Sequence, residues 1–399
     1  MENEKDRWVA VRVMFALLFM GVTSVVATCL GSASASELSY QAPSVVIIDT
    51  SLNQDIPIFD NKIIYEVCIL DYPVCPNGTS FQEGYGAAKM SSAMSIINGF
   101  EHGTQMTSVA INTNPNIKII FIRIVSNTAT GGRMSSNYLT LDKALYWVIR
   151  NRDRFNIQSV AFSQGSHNYN SIDDYCPSIP STESNIRALA STGIPFFAAV
   201  GNNYDYKRID WPACIPETIA IGAVMPYLEI ASYNNYDAAR IDFYALGSTK
   251  AYNPNGSYVN IAGSSPATQI ASMNWATVKY ARPELSYSQV YDLLSNTSTN
   301  TYNSRISTGK LINQSGALKS LGDVLNITTS TPSVFSINST APVFSINSTA
   351  PVDLGSGGIY SRTSVNALTN GACSLIFKFA GSTERSPATL IWNATVTNR

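Results

Sequence analysis

Four side chains of this 399-residue sequence have the types that acyl transfer by a serine requires: Asp49, His102, Asn202 and Ser265. A serine hydroxyl is a weak nucleophile. It needs a base within hydrogen-bond reach and a third group that fixes the base's tautomer. Here Ser265 would attack, His102 would take and return the proton, and Asp49 would orient the imidazole. The Asn202 amide would donate to the oxyanion of the tetrahedral intermediate, a contact whose loss typically costs about 10²–10³ in turnover. Histidine is scarce in this chain. Any imidazole base must be His102 or His167, and His167 reads as a residue on the rim of a cleft.

Each of these residues needs a rigid element beneath it. The apolar run Ser44 to Ile48 reads as a buried strand that delivers Asp49 at its C-terminal end, where α/β folds place functional groups. Taken alone, Asp49 reads more simply as an Asx turn closing that strand. After His102, Gly103 permits close packing, and Met106, Val109 and Ala110 supply a buried helical face. The small residues Ala198, Ala199, Val200 and Gly201 form a strand that a substrate backbone can approach closely. Gly263-Ser264-Ser265-Pro266 turns into a helix running to about Tyr280, whose dipole favours negative charge at the reacting centre. Pro266 suits a first helical turn, where its missing N–H has no partner to lose. Ser264 stands as an alternative nucleophile, and Asn203 as an alternative to Asn202.

The order Asp, His, Asn, Ser, at intervals of 53, 100 and 63 residues, resembles that of the subtilisin-like serine peptidases, the subtilases. The resemblance runs from about Val45 to about Leu318. It implies a three-layer α/β fold, a mainly parallel twisted sheet with helices on both faces. It also implies a triad of Asp49, His102 and Ser265, with Asn202 and the Ser265 N–H as oxyanion donors. Ser163-Gln164-Gly165 matches the family's Ser-x-Gly segment. With Ala199, Val200 and Gly201 it would bind a peptide or protein substrate as an added β-strand. The chain departs from the family pattern at Ser51, Glu101, Gln105, Met106, Pro266 and Gln269. An inactive peptide-binding module on the same fold is therefore the alternative function.

Strand-length apolar runs alternating with helix-period segments agree with a helix-covered parallel sheet. Further strands are expected at 117–125, 159–163, 194–200, 218–224 and 241–246. Helices are expected at 141–149, 184–190 and 290–294, the last opened by a Ser286–Gln289 capping box. The segment 68–86 reads as an insertion. The catalytic domain is expected over residues 36–325. A Ser/Thr/Pro-rich linker follows at 326–352, built on a tandem nine-residue repeat (Val334 to Pro342, Val343 to Pro351). Residues 353–399 read as a small β-rich C-terminal tail, with strands at 374–380 and 388–396.

Composition narrows the function classes. A net charge of -1 supplies no field for nucleic acid, and 45% hydrophobic content is enough for a sizeable core. Residues 1–35 read as a signal peptide, the apolar run 13–31 ending at Ala33-Ser34-Ala35. Membrane anchoring through 13–31 is the alternative, since about 19 apolar residues just span a bilayer. Either reading takes the domain out of the cytosol, where cysteines oxidise. Cys68–Cys75 and Cys176–Cys214 are the expected pairs, leaving Cys29 and Cys373. Eight Asn-x-Ser/Thr sites suit an exported glycoprotein. No metal site or cofactor is expected, and no Asp-rich loop is present for calcium. Only 13 residues separate Ala35 from Asp49, which leaves no room for an inhibitory prodomain. Folding is therefore expected to be unaided, or activity to be controlled by another chain or by location.

Overall fold

β1 (Ser44–Asp49) runs through the middle of a ten-stranded sheet, buried along its whole length. The computed structural model describes residues 42–127, 137–167, 176–237, 239–304, 306 and 308–321, and the backbone of six short strands beyond them. The expected signal or anchor segment and Cys29 lie outside the described residues, as do the non-strand parts of the linker and tail.

The remaining strands of the sheet are β2 (Ile63–Ile69), β3 (Phe81–Glu83), β4 (Lys118–Arg123), β5 (Ile157–Phe162), β6 (Phe196–Ala199), β7 (Ile219–Val224), β8 (Phe243–Leu246), β11 (Thr299–Thr301) and β12 (Gly309–Leu311). Their order is β11-β12-β8-β7-β6-β5-β1-β4-β2-β3. Every pairing is parallel except those of the edge strands β3 and β11. A separate hairpin joins β9 (Ser248–Tyr252) to β10 (Tyr258–Ala262).

The helices are α1 (Ser92–Ser95), α2 (His102–Thr113), α3 (Tyr138–Asn151), α4 (Pro180–Ser191), α5 (Ser264–Ala281), α6 (Tyr287–Thr297) and α7 (Gln314–Ser320). They fall into two layers, and β1 shows why. Successive strand side chains point to opposite faces. Val46 and Ile48 pack with Leu141, Leu145 and Val148 of α3 and Ile186 of α4. Val45 and Ile47 pack with Ala110 and Ile111 of α2 and Met273 and Ala276 of α5. Asp49 shares the parity of Val45 and Ile47. Its side chain is therefore directed to the α2 and α5 face, where His102 and Ser265 open their helices.

The expected strands and helices are present, with ends moved by at most four residues, and the Ser286–Gln289 capping box opens α6. A strand not expected from the sequence runs into the segment 68–86. Ile63–Ile69 joins the sheet parallel to β4, and within 68–86 the chain turns back as β3. Glu66 interrupts the apolar run and hides the strand from a pattern reading. In the fold it is buried, and its carboxylate accepts the N–H groups of Gly86 and Ala88 at 3.0 Å each. Cys68 and Cys75 form a disulfide across this hairpin, and Cys176 and Cys214 form a second.

Beyond α7, β13 (Val324–Leu325), β14 (Phe335–Asn338), β15 (Ser345–Ile346), β16 (Ser364–Ala367), β17 (Gly371–Phe379) and β18 (Ala388–Val396) form two-stranded pairs. β14 and β15 take one strand from each copy of the repeat. β17 and β18 pair antiparallel along nine residues.

Candidate active site

The end of β1 is tied to the start of α2 by hydroxyl groups. Thr50 Oγ1 donates to the Phe100 carbonyl at 3.0 Å and accepts the Gly103 N–H at 3.0 Å. Ser51 Oγ donates to the same carbonyl at 3.2 Å. Such close approach requires glycine at 103. A Cβ there would meet the Phe121 ring at 2.7 Å and collide with the Ser51 carbonyl.

This clamp sets His102 against Asp49. The imidazole Nδ1 lies 2.8 and 2.9 Å from the two Asp49 carboxylate oxygens. A carboxylate only accepts, so Nδ1 carries the proton and Nε2 is left with its lone pair. Asp49 is fully buried. Its Oδ1 also accepts the Thr50 N–H at 2.7 Å and Gln164 Nε2 at 3.1 Å. Gln164 Nε2 stands 3.0 Å from His102 Nδ1, so the two donors converge on one carboxylate oxygen.

Ser265 is in the first turn of α5, where backbone N–H groups have no intrahelical partner. Its Oγ donates to the Ser163 carbonyl at 3.1 Å, and its carbonyl accepts Ser163 Oγ at 2.9 Å. Among the described residues no hydrogen bond joins His102 to Ser265. The consecutive residues Ser163 and Gln164 bridge them, Ser163 holding Ser265 and Gln164 touching Asp49 and His102. Gly165 follows, exposed, and its N–H and carbonyl make no hydrogen bond among the described residues, as strand addition requires.

Asn202 follows β6 on an exposed turn. Its Oδ1 accepts both the N–H and the hydroxyl of Ser264, at 2.8 and 3.0 Å. Two donors on one oxygen fix the amide orientation and leave Nδ2 free toward solvent. The alternative nucleophile Ser264 is thus occupied. It is fully buried, donates to Asn202 and accepts the Gly201 N–H at 3.2 Å. The alternative donor Asn203 is turned instead to Asn235, whose Oδ1 takes the Asn203 N–H at 2.8 Å. Ala199 and Val200 are buried in and just beyond β6. Gly201 has a φ of +97°, and a Cβ there would meet the Asp210 carboxyl carbon at 2.5 Å.

Three sites of departure carry structural roles. Gln105 Nε2 donates to Asn253 at 2.7 Å, fastening the β9–β10 hairpin to α2. Gln269 Nε2 donates to Ser163 Oγ at 2.9 Å. Glu101 turns back to the Gly99 N–H at 2.6 Å.

Sequence reasoning missed Asn235, Asp210 and Asp205. His167, read as a rim residue, holds Asp210 through Nδ1 at 2.8 Å and faces Asp205 through Nε2 at 3.3 Å. Asn235, fully buried, donates to the same Asp210 oxygen at 2.7 Å and receives the Asn203 and Asp205 N–H groups. Burial pushes the Asp210 carboxyl above the usual carboxylate range, against the opposing pull of His167. No motif or spacing read from the sequence points to this network. No group of three His, Cys, Asp or Glu side chains able to hold a metal ion is present among the described residues.

The surface carries clefts of differing character. A polar one of about 650 Å³, lined by Asn53, Glu101, Gln105 and Asn253, adjoins the first turn of α2. One of about 700 Å³, lined by Leu70, Phe81, Tyr146 and Trp147, contains none of the site residues.

Residues 41–317 match the profile of the Subtilase family of peptidases. Subtilisin DY of Bacillus licheniformis is 26% identical over 248 residues, covering 59% of this chain and 84% of its own. Alkaline elastase YaB of Bacillus sp. (strain YaB) is 24% identical over 244 residues, 59% of each chain. This chain thus spans about three-fifths of the elastase. A cold-adapted subtilisin-like serine proteinase superposes with a TM-score of 0.51 at 20% identity, covering 68% of this chain and 88% of the other. The prenylagaramide maturation protease PagA gives 0.53 at 19%, covering 70% and 94%. At such identity the structural likeness speaks for the fold.

Proposed function

The chain belongs to the subtilase family, and from that premise we propose that it is an exported serine endopeptidase acting through Ser265. What supports the reading is the connection of Asp49 to His102 and Gln164 by hydrogen bonds, of Gln164 to Ser163 through the chain, and of Ser163 to Ser265 by hydrogen bonds, with the Asn202 amide oriented by Ser264. A peptide would add as a strand along Ser163-Gln164-Gly165. Ser265 Oγ would rotate about one torsion from the Ser163 carbonyl to His102 Nε2 and attack the peptide carbonyl carbon as His102 takes its proton. Catalytic hydrogen bonds are often loose before substrate arrives. The imidazolium would lie against the buried Asp49 carboxylate. Asn202 Nδ2 and the Ser265 N–H would hold the oxyanion. The proton would pass to the leaving amine, and water would release the acyl group by the same route.

Export rests on the apolar run 13–31 and on the two disulfides. A fluorophosphonate probe should label the full chain at Ser265 and fail to label Ser265→Ala. A folded protein that resists labelling sinks the proposal. One observation favours the alternative, a peptide-binding module: the Ser265 hydroxyl is bonded to Ser163 and not to the imidazole. Peptide binding without turnover across a library would establish it.

A further inference from the structure

Asp210 occupies space that two glycines leave empty. A Cβ at Gly165 would lie 3.0 Å from Asp210 Cβ and 3.1 Å from Oδ2, and a Cβ at Gly201 would collide with the carboxylate. Gly165 ends the segment assigned to the substrate backbone, and Gly201 precedes the oxyanion residue Asn202. The acyl residue of a bound peptide has its carbonyl at Ser265 and Asn202. On that reading its side chain would be directed between these two glycines, toward Asp210.

The carboxylate there is unevenly satisfied. Oδ1 takes His167 Nδ1 at 2.8 Å and Asn235 Nδ2 at 2.7 Å. Oδ2 makes no hydrogen bond among the described residues. The side chain is nine-tenths buried, and Oδ2 is the carboxylate oxygen that faces Gly165 and Gly201. The nearby guanidinium, Arg208, is engaged by Asp205 at 2.9 Å. His167 is the group already facing Asp210, and Asp205 adds a second carboxylate behind it. A buried anion with one unbonded oxygen gains most from a cation that brings its own hydrogen-bond donors.

We propose that Asp210 sets the specificity of the site by receiving the cationic side chain of lysine or arginine on the acyl side of the scissile bond. This rests on the reading of Ser265 and Asn202 given above. Burial, which makes the ionised carboxylate hard to hold alone, supports it.

The test uses the full chain, Ser265→Ala, Asp210→Asn and Asp210→Glu. Fluorescence titration with p-aminobenzamidine, an amidinium, should show binding to the full chain and to Ser265→Ala alike. The neutral p-aminobenzamide should bind roughly tenfold more weakly or worse, and Asp210→Asn should lose a similar factor for the amidinium. Asp210→Glu should keep the amidinium preference, which covers a failure of the Asn variant to fold. A peptide library should give Arg and Lys a kcat/KM roughly tenfold or more above Leu and Phe. Equal binding of the two probes, or no amidinium binding, overturns the inference even if Ser265 labels. Amidinium binding without labelling overturns the endopeptidase reading and leaves the cation site standing.

Discussion

Ser264 Oγ donates to Asn202 Oδ1 at 3.0 Å, and the Ser264 N–H reaches the same oxygen at 2.8 Å. The residue before the expected nucleophile therefore aims the expected oxyanion donor. Asn202→Ala should lower kcat about 10²–10³-fold with little change in KM, because the lost contact forms only in the transition state. Ser264→Ala keeps its backbone N–H on Asn202 and should lower kcat by a smaller factor. Steady-state kinetics on one peptide substrate checks both. Equal losses would mean that the hydroxyl acts on more than Asn202.

Thr50→Val should unlatch the base. The substitution preserves shape but strands the Gly103 N–H, at a cost of about 1–3 kcal/mol, and leaves the Phe100 carbonyl with only its bond from Ser51. Thr50→Ser should restore most of it. Denaturant unfolding of the three proteins measures the difference, and a Val variant as stable as the parent contradicts the clamp.

Asp242 makes stability depend on pH. Burial raises its pKa above the ordinary carboxylate value, although it accepts the Ala220 N–H at 2.9 Å and the Tyr291 hydroxyl at 2.7 Å. A group whose folded pKa is raised contributes stability that is full below its unfolded pKa and is lost as pH rises through the folded pKa. Asp242→Asn can accept the Ala220 N–H through its oxygen and donate through its amide to the Tyr291 oxygen, and it does not ionise. Its Tm relative to the parent should therefore grow more favourable from about pH 4 upward. A flat difference across that range would show that Asp242 does not titrate as described.

The Cys176–Cys214 bridge closes a loop with a sequence separation of 38. Chain-entropy reasoning gives about 4 kcal/mol for a loop of that length. A Cys176→Ser, Cys214→Ser double variant should unfold at correspondingly lower denaturant. The bridge also anchors Cys214, four residues after Asp210, so the variant should weaken amidinium binding.

The sequence by itself determined the sheet, the helices and the candidate residues Asp49, His102, Asn202 and Ser265. Apolar period, small residues and helix-opening motifs are local signals, and they survive without coordinates. It could not show Ile63–Ile69 as a sheet strand, because the buried Glu66 looks like a surface charge until Gly86 and Ala88 turn toward it. Nor could it show that Asn235 and Asp210 belong beside the site, that Gln164 reaches Asp49 and His102, or that Ser264 orients Asn202. Their roles depend on which distant backbone comes within 3 Å, and residues such as Asn235 and Asp210 meet only when the chain after β7 folds back on the turn after β6. Chemistry of type is written along the chain, whereas chemistry of contact exists only where separate segments converge.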